Sequence, residues 1–323
     1  MIRWGTLRRA AALFVLLLGS RSADAQGTGP ACPPSPAPLS NAQRQAGLRD
    51  ARDHGFLWRI RKNGVTSHLY GTLHVARRAW MFPGPQVRAA LEAAGTLALE
   101  LDPLDASVQR ALAEGMAAHA ATLELPAALR ARLALRLRAE CLSATSLDGF
   151  GPEMRVALLS VAAGRRDGLE PTYGIDLYLA GFARSAAKRV VSLETPQEQL
   201  QALHMPTPAE ALAMVENGLA ELEAGRARPM LMRMAQVWAD ADHDTLMRYD
   251  DWCECRTTAA DIVSMKRLLD DRNPALAERI DALHAGGAPV FAAVGSLHMI
   301  GPLGLPALLA QRGFTVERVE YPR

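Results

Sequence analysis

Two short strings, near opposite ends of the chain, each place a histidine just after a predicted strand. Gly71-Thr72-Leu73-His74 follows one apolar run, and Gly295-Ser296-Leu297-His298 follows another. Runs of this composition are typical of β-strands, and glycine at a strand end permits a tight exit or a close backbone approach. Because open α/β sheets bind ligands at the carboxyl ends of their strands, we expect these two Gly-x-Leu-His corners to border one crevice.

A β-hairpin is predicted to lead into the first corner. Apolar and basic residues alternate from Phe56 to Arg61, as in a strand with one buried face. Asn63-Gly64 follows, which is the strongest short signal for a hairpin turn. The return strand, Val65 to Tyr70, then delivers Gly71 and His74 to the sheet edge.

A third predicted strand contains a single acidic residue. The run from Thr96 to Leu101 is apolar except for Glu100, and burying an isolated carboxylate is costly unless it is paired or binds a metal. Glu100 therefore either joins the histidines as a ligand or lies on a solvated face, where an arginine could pair with it. The spacing alone leaves both interpretations open.

The remaining pattern predicts an α/β (α+β) fold with a central mixed sheet, helices packed around it and a large helical insertion. Ala, Leu and Arg at three- and four-residue spacing predict helices across most of 105–225. A helix that opens after Gly174 carries Asp176 in its first turn, and a strand over 189–193 ends at Glu194. Asp176 could simply complement the helix dipole, and Glu194 could cap the next helix.

The carboxyl-terminal part predicts a helical stretch over 229–258 and a further helix capped by Asn273, with Pro274 in its first turn. A buried strand over 290–294 then leads into the second corner. The chain closes with a predicted helix and a predicted strand, 305–311 and 315–321.

Two histidines and a carboxylate at strand ends are a candidate ligand set for a divalent cation, with an open position for water. His74, His298 and Glu100 supply that set. A bound cation would lower the pKa of the water and polarise a substrate carbonyl, while Glu100, as ligand or base, handles the proton. Arg272 is our candidate for stabilising the oxyanion or orienting a carboxylate. A strand-end histidine is also often a hydrogen-bonded boundary residue, and spacing does not remove that interpretation.

Four further residues are expected to support this site, namely Gly71, Asp176, Glu194 and Gly295. The remaining six histidines are predicted to be surface or boundary residues: His54, His68, His119, His204, His243 and His284.

The first residues have the pattern of a secretory signal peptide. Arginines precede the apolar run 10–18, and Ala23-Asp24-Ala25 is a small-x-small cleavage site. The alternative is an uncleaved amino-terminal anchor. We expect the mature protein in the periplasm or outside the cell. The predicted segments are a signal peptide over 1–25, a disordered Pro-rich leader over 26–50 and one domain over 51–323.

The charge balance gives no support for some classes of partner. The chain has 36 basic and 34 acidic residues, and loss of residues 1–25 removes four arginines and one aspartate. A near-neutral protein offers no argument for nucleic acid or anionic lipid as a partner. No run after the signal peptide is long and apolar enough to cross a bilayer, and no feature indicates an oligomeric state.

Four cysteines, Cys32, Cys141, Cys253 and Cys255, fit disulfides in an oxidising compartment. A bridge between Cys253 and Cys255 would close a very tight ring, so we expect each of them to pair with Cys32 or Cys141. The functional alternative is a Cys-x-Cys redox or metal pair, which lacks a nearby histidine or a further cysteine.

These motifs, taken in order, resemble the TraB/GumN family. The matching series is the hairpin, Gly71-Thr72-Leu73-His74, Leu99-Glu100-Leu101-Asp102, Gly174-Ile175-Asp176, Leu193-Glu194-Thr195, Arg272-Asn273 and Val294-Gly295-Ser296-Leu297-His298. The resemblance covers roughly residues 55–320, and it depends on the order in which the motifs occur along the chain. The family includes bacterial pheromone-shutdown proteins, a protein of a xanthan polysaccharide cluster and the animal Tiki proteases.

The resemblance implies an erythromycin-esterase-like α/β fold and a metal-dependent peptidase that favours manganese or cobalt, with zinc as a further candidate. His74, His298 and Glu100 match the positions on which Tiki proteins depend. Family positions of less defined role are matched by Asp176, Glu194 and Arg272. The expected substrate is a peptide or an unfolded segment.

Intact motifs do not fix the reaction, because one fold can carry many functions. Two alternatives therefore stay open. One is a non-catalytic peptide-binding or polysaccharide-export accessory protein of the same fold, and the other is an esterase.

Overall fold

The structure is a computed structural model, and its description covers residues 32–120, 123–253, 255–256 and 258–322. The predicted signal peptide and the first residues of the predicted leader lie outside the described residues. Within the described ranges the chain divides into two compact units. We call them the sheet unit (39–103, 173–195 and 234–322) and the helical unit (32–38, 104–172 and 196–233).

Six strands form one mixed sheet, as the predicted α/β class requires. They are β1 (Phe56–Lys62), β2 (Val65–Thr72), β3 (Thr96–Leu99), β4 (Arg189–Ser192), β5 (Val290–Gly295) and β6 (Thr315–Arg318). Their order across the sheet is β4-β3-β5-β2-β1-β6. Strands β4, β3, β5 and β2 are parallel, whereas β1 is antiparallel to both of its neighbours. Because β6 is antiparallel to β1, it runs in the same direction as these four, and five strands present their carboxyl ends at one edge.

The α-helices of the described residues are α1 (Asn41–Arg49), α2 (Pro85–Ala93), α3 (Ala106–Ala120), α4 (Ala127–Ala139), α5 (Pro152–Ala162), α6 (Ile175–Ser185), α7 (Pro196–Leu203), α8 (Pro208–Glu223), α9 (Ala227–Ala239), α10 (His243–Met247), α11 (Ala259–Met265), α12 (Asn273–Ala285) and α13 (Leu305–Gln311). A π-helical turn, Lys266–Asp270, follows α11, and a 3-10 helix, Ser296–Met299, follows β5. None of the described helices has the length and apolarity needed to span a membrane.

The predicted hairpin is confirmed. Strand β1 pairs with β2 through the turn at Asn63 and Gly64, both of which have positive φ angles. This left-handed pair is the conformation that an Asn-Gly hairpin turn adopts. The inner face of β1 is buried, with Ile60 fully inaccessible to solvent.

The two Gly-x-Leu-His corners lie side by side, as predicted. Strands β2 and β5 are parallel neighbours, and their register pairs Gly71 with Val294 and Thr72 with Gly295. Strand β3 lies on the other side of β5 and ends at Leu99, so Glu100 follows the strand instead of lying within it. The carboxyl edge of the sheet thus brings both corners and Glu100 into one region of the sheet unit.

Two predicted segments differ from the structure. Part of the 26–50 leader forms helix α1, which begins with a capping box because Ser40 accepts from Gln43 N–H and Gln43 reaches back to Ser40. The helical stretch over 229–258 is also interrupted, since Ala241 has a left-handed backbone conformation after α9. The Asp242 side chain then caps a new short helix, α10.

Two predictions for individual side chains are wrong. Asn273 is the first residue of α12 and does not cap it, because its side chain is used by other groups described below. His284 is not a boundary residue, since only 2% of it is exposed. Its Nδ1 lies 2.8 Å from Ser67 Oγ and its Nε2 lies 3.0 Å from the Lys62 carbonyl oxygen. A buried imidazole with both nitrogens engaged explains this position within an otherwise apolar helix face.

The helical unit has its own core of leucine, valine and alanine side chains from α4, α5 and α8. Its members include Leu133, Leu159, Val215 and Leu219. A disulfide joins Cys32 to Cys141 across 109 residues of sequence. Cross-linking so long a loop restricts the unfolded chain far more than the folded one.

Both bridges contradict the prediction that Cys253 and Cys255 each pair with Cys32 or Cys141. Cys253 bonds to Cys255 and not to a distant partner. Their Cα atoms are 5.0 Å apart, which lies within the range of ordinary disulfides. The tight Cys-x-Cys ring that the sequence argued against is therefore compatible with normal Cα spacing.

Candidate functional site

A cluster of polar side chains occupies the carboxyl edge of the sheet. Each comes from a strand end or from the first turn of a helix in the sheet unit: His74, Glu100, Asp176, Glu194, Arg272, Asn273 and His298. Backbone bonds fix the strand ends to one another, since Glu194 N–H donates to the Glu100 carbonyl oxygen at 2.9 Å. The sheet edge therefore sets the spacing of the cluster.

His298 is held in one tautomer. Its side chain is almost fully buried, and its Nδ1 lies 2.6 Å from Asn273 Oδ1. Asn273 Nδ2 donates to the Leu303 carbonyl oxygen at 2.8 Å, so the amide presents oxygen to the imidazole. Nδ1 therefore carries the proton, and Nε2 turns its lone pair toward Glu100 and Arg272. Burial lowers the pKa of His298 to about 4, so the ring is neutral at pH 7.

His74 is held from its other side by a carboxylate. Its Nδ1 lies 2.7 Å from Asp176 Oδ2, and Thr72 Oγ1 donates to Asp176 Oδ1 at 2.6 Å. Ile175 N–H donates to the Leu73 carbonyl oxygen, which ties the start of α6 to the first corner. The Asp176 carboxylate raises the pKa of His74 to about 9, against the opposing effect of desolvation. The His74 side chain is 61% exposed, so solvent reaches this imidazole.

Glu100 is a buried carboxylate with a donor on each oxygen. Gly295 N–H donates to Oε1 at 2.7 Å, and Arg272 Nη2 donates to Oε2 at 2.7 Å. Burial alone would raise the pKa of Glu100, but the neighbouring cationic groups and the Gly295 N–H lower it to about 2. Because His298 is neutral at pH 7, the groups that keep Glu100 ionised there are His74, Arg272 and the Gly295 N–H.

Arg272 connects two carboxylates. Its Nε donates to Glu194 Oε1 at 2.8 Å, and Nη2 donates to both Glu194 and Glu100. Its Nη1 donates to the Leu268 carbonyl oxygen at 2.9 Å, within the π-helical turn. A π-helical turn widens the backbone by one residue and is frequent at functional sites. The guanidinium of Arg272 therefore lies between two buried carboxylates.

Both corner glycines are required by close approach and not by backbone conformation. A Cβ on Gly71 would lie 2.9 Å from Ser296 Oγ, and one on Gly295 would lie 3.2 Å from Glu100 Oε1. The Gly71 carbonyl oxygen also accepts a hydrogen bond from Trp238 Nε1 at 2.8 Å. The fully buried Trp238 thereby stabilises the position of the first corner.

The side chains suit a divalent cation in their donor chemistry. Each imidazole has one nitrogen held by an oxygen acceptor, which is the usual way in which metal-binding histidines are oriented. His298 Nε2 and Glu100 Oε2 are 3.9 Å apart. Two ligands that each lie about 2.1 Å from one metal are separated by at most about 4.2 Å. This pair therefore fits a shared cation.

His74, the third predicted ligand, is not grouped with His298 and Glu100 in this structure. Among the described ranges, no group of three or more His, Cys, Asp or Glu side chains is placed to hold a metal ion. His74 is near enough to Glu100 to interact electrostatically, and its Nδ1 is held by Asp176. The residues fit a cation in donor type, and the ligand roles of His74, His298 and Glu100 stay predictions.

The site joins most of the residues that the sequence singled out, and adds three. Asn273, Thr72 and Trp238 contact the cluster directly but were not expected there. Asn273 before a proline has the pattern of a helix cap. Thr72 lies in the first corner but had no predicted role there, and Trp238 lies in a segment with no distinguishing pattern. Their roles depend on tertiary contacts.

Comparison with known proteins gives one finding. The model of the TraB/PrgY/gumN family matches residues 56–318, which include every residue of the candidate site. Comparisons with curated proteins and with solved structures gave no match. Since the family model covers most of the sequence, the chain belongs to the TraB/PrgY/gumN family.

Proposed function

We propose that this protein is an exported metal-dependent hydrolase that cleaves amide bonds in peptides or unfolded segments. The observation that carries the proposal is the buried pair of donor atoms, His298 Nε2 and Glu100 Oε2, at 3.9 Å. Each donor is oriented by a separate hydrogen bond, from His298 to Asn273 and from Gly295 to Glu100. Such fixed donors are the preorganisation that a hydrolytic site needs.

His74, His298 and Glu100 are the residues proposed to hold a manganese, cobalt or zinc ion. When bound, the cation would lower the pKa of a water molecule and polarise the scissile carbonyl. Asp176 orients the exposed imidazole of His74, and Asn273 fixes the proton of His298 on Nδ1. Arg272 provides a fixed positive charge beside the reacting groups, where it can stabilise negative charge on the carbonyl oxygen.

Export is part of the same proposal. The predicted signal peptide supports it, and so does the bond between Cys32 and Cys141, because structural disulfides persist in oxidising compartments. Both features support a periplasmic or secreted location.

The test combines metal analysis with cleavage of a peptide library. The purified exported protein should contain or take up a divalent metal, and a chelator should stop cleavage. His298→Ala and His74→Ala should abolish both metal uptake and cleavage, whereas His243→Ala, outside the cluster, should change neither. Full cleavage by the His74→Ala/His298→Ala double variant would contradict the proposal.

A second candidate is a binding protein that holds a peptide without cleaving it. It is favoured by one observation, namely that Arg272 already contacts both His298 and Glu100. This candidate predicts saturable peptide binding that is unaffected by a chelator, with no cleavage product after addition of manganese, cobalt or zinc. The same library, analysed for binding and for cleavage, separates the two functions.

A further inference from the structure

We propose that Arg272 competes with the divalent cation for His298 Nε2 and Glu100 Oε2, and thereby sets the metal affinity of the site. This inference rests on the proposed function, because it concerns the same two donor atoms. It makes a claim that the proposed function does not contain: removal of a positive side chain from the site should tighten metal binding.

The geometry that carries the inference is a single guanidinium across two donors. Arg272 Nη2 lies 2.7 Å from Glu100 Oε2, and Nη1 lies 3.3 Å from His298 Nε2. The two acceptor atoms are themselves 3.9 Å apart. The lone pairs that would bind a cation are therefore the ones that Arg272 contacts. Arg272 and a cation cannot occupy these two acceptor atoms at the same time.

Arg272 has a second set of partners that does not involve these donors. Its Nε and Nη2 donate to Glu194, and its Nη1 donates to the Leu268 carbonyl oxygen. A cation bound to Glu100 and His298 would therefore break only the contacts of Arg272 with those two residues. Glu194 and the π-helical turn would keep the arginine in the site, where its charge continues to oppose the cation.

The consequence is a site whose metal occupancy depends on metal concentration. A fixed positive charge a few ångströms from a bound cation weakens binding, and burial strengthens the effect because little water screens it. Only 13% of the Arg272 side chain is exposed. The arginine is thus both a proposed charge stabiliser and the reason for weak metal retention.

The experiment is a calorimetric titration of the metal-free full chain with Mn²⁺ and, separately, with Zn²⁺. We expect Arg272→Met to bind at least about tenfold more tightly than the unaltered protein, since one opposing charge is lost. The metal affinity of Arg272→Lys should lie between those two, because lysine keeps the charge but lacks the forked donors of the guanidinium. Arg184→Met is the matched control, because Arg184 pairs with the buried Asp102 but contacts neither donor.

Removal of Arg272 takes a guanidinium away from two buried carboxylates, which can impair folding. The double variant Arg272→Met/Glu194→Gln restores the charge balance and should show the same tightening. Adding His298→Ala to Arg272→Met should abolish the gain, which locates the bound metal. Circular dichroism and thermal unfolding identify the variants that are folded.

The outcomes separate this inference from the proposed function. Unchanged or weaker binding in folded Arg272→Met and in the double variant overturns the inference, even if the unaltered protein binds metal and cleaves peptides. Binding by Arg272→Met alone supports the inference and counts against a metal-dependent reaction in the unaltered protein. Absence of binding in every variant overturns both.

Discussion

Asn273 Oδ1 lies 2.6 Å from His298 Nδ1, although Asn273 occupies a position that would ordinarily cap a helix. The amide cannot rotate without losing its bond to the Leu303 carbonyl oxygen. The first turn of α12 therefore serves the second Gly-x-Leu-His corner, and it does so next to Arg272. Two consecutive residues thus hold the imidazole and the carboxylates of the site.

Asn273→Ala should reduce hydrolysis by about 10- to 100-fold, because partners of this kind fix the tautomer of a metal-binding histidine. The ¹⁵N shifts of the His298 ring in the metal-free protein should change from the Nδ1-protonated form to a mixture of tautomers. Ser67→Ala is the control, since it disturbs His284 in the same way but lies outside the site. A single unchanged tautomer in Asn273→Ala would contradict the assigned role.

Asp176→Asn should lower the pKa of His74 from about 9 toward the ordinary value of 6.5. A raised pKa means that the ion pair stabilises the fold fully below pH 6.5, and this contribution is lost as the pH rises through about 9. The contribution to the free energy of unfolding should be at most about 1 kcal/mol, because the imidazole is largely exposed. An NMR titration of His74 in metal-free protein measures the shift, and an unchanged midpoint would rule out the pairing.

The double variant Cys32→Ser/Cys141→Ser should be destabilised more than Cys253→Ser/Cys255→Ser. The first bridge closes a sequence separation of 109 residues and the second a separation of 2. The chain-entropy model gives a difference of about 3 kcal/mol in the free energy of unfolding. Chemical denaturation of both variants measures it, with the unaltered protein that carries both bridges as reference. Equal losses would show that the long loop retains structure when unfolded.

Sequence reasoning located the sheet edge but not the contacts that complete it. Strands of distinctive composition precede both corners, Glu100 and Glu194. Parallel strands bring their carboxyl ends together, so these residues were expected at one edge. Position in the chain alone could not show that Arg272 lies between Glu100 and Glu194, because that depends on the π-helical turn before it. Asn273 was misread because a local cap and a distant hydrogen bond use the same side chain, and only tertiary structure decides between them.

The pairing of the cysteines was also beyond the sequence. Four cysteines allow three pairings, and the argument from ring size was directed against the one that the structure has. Cys253 and Cys255 themselves lie outside the helices, and their Cα atoms are an ordinary 5.0 Å apart. Spacing limits a disulfide less than the local path of the backbone does.

Gly71→Ala and Gly295→Ala should impair hydrolysis, whereas Gly181→Ala should not. The new methyl group would lie 2.9 Å from Ser296 Oγ in the first variant and 3.2 Å from Glu100 Oε1 in the second. Either contact must move a group of the site by a few tenths of an ångström. Because a misplacement of about 1 Å at a catalytic centre costs about 100-fold in rate, we expect a smaller loss here. No described atom lies within 4 Å of the equivalent position on Gly181, in the interior of α6. Alanine there should stabilise the helix by about 0.5–1 kcal/mol. Rates and unfolding curves for the three variants test this, and full activity in Gly71→Ala would show that the first corner tolerates a side chain.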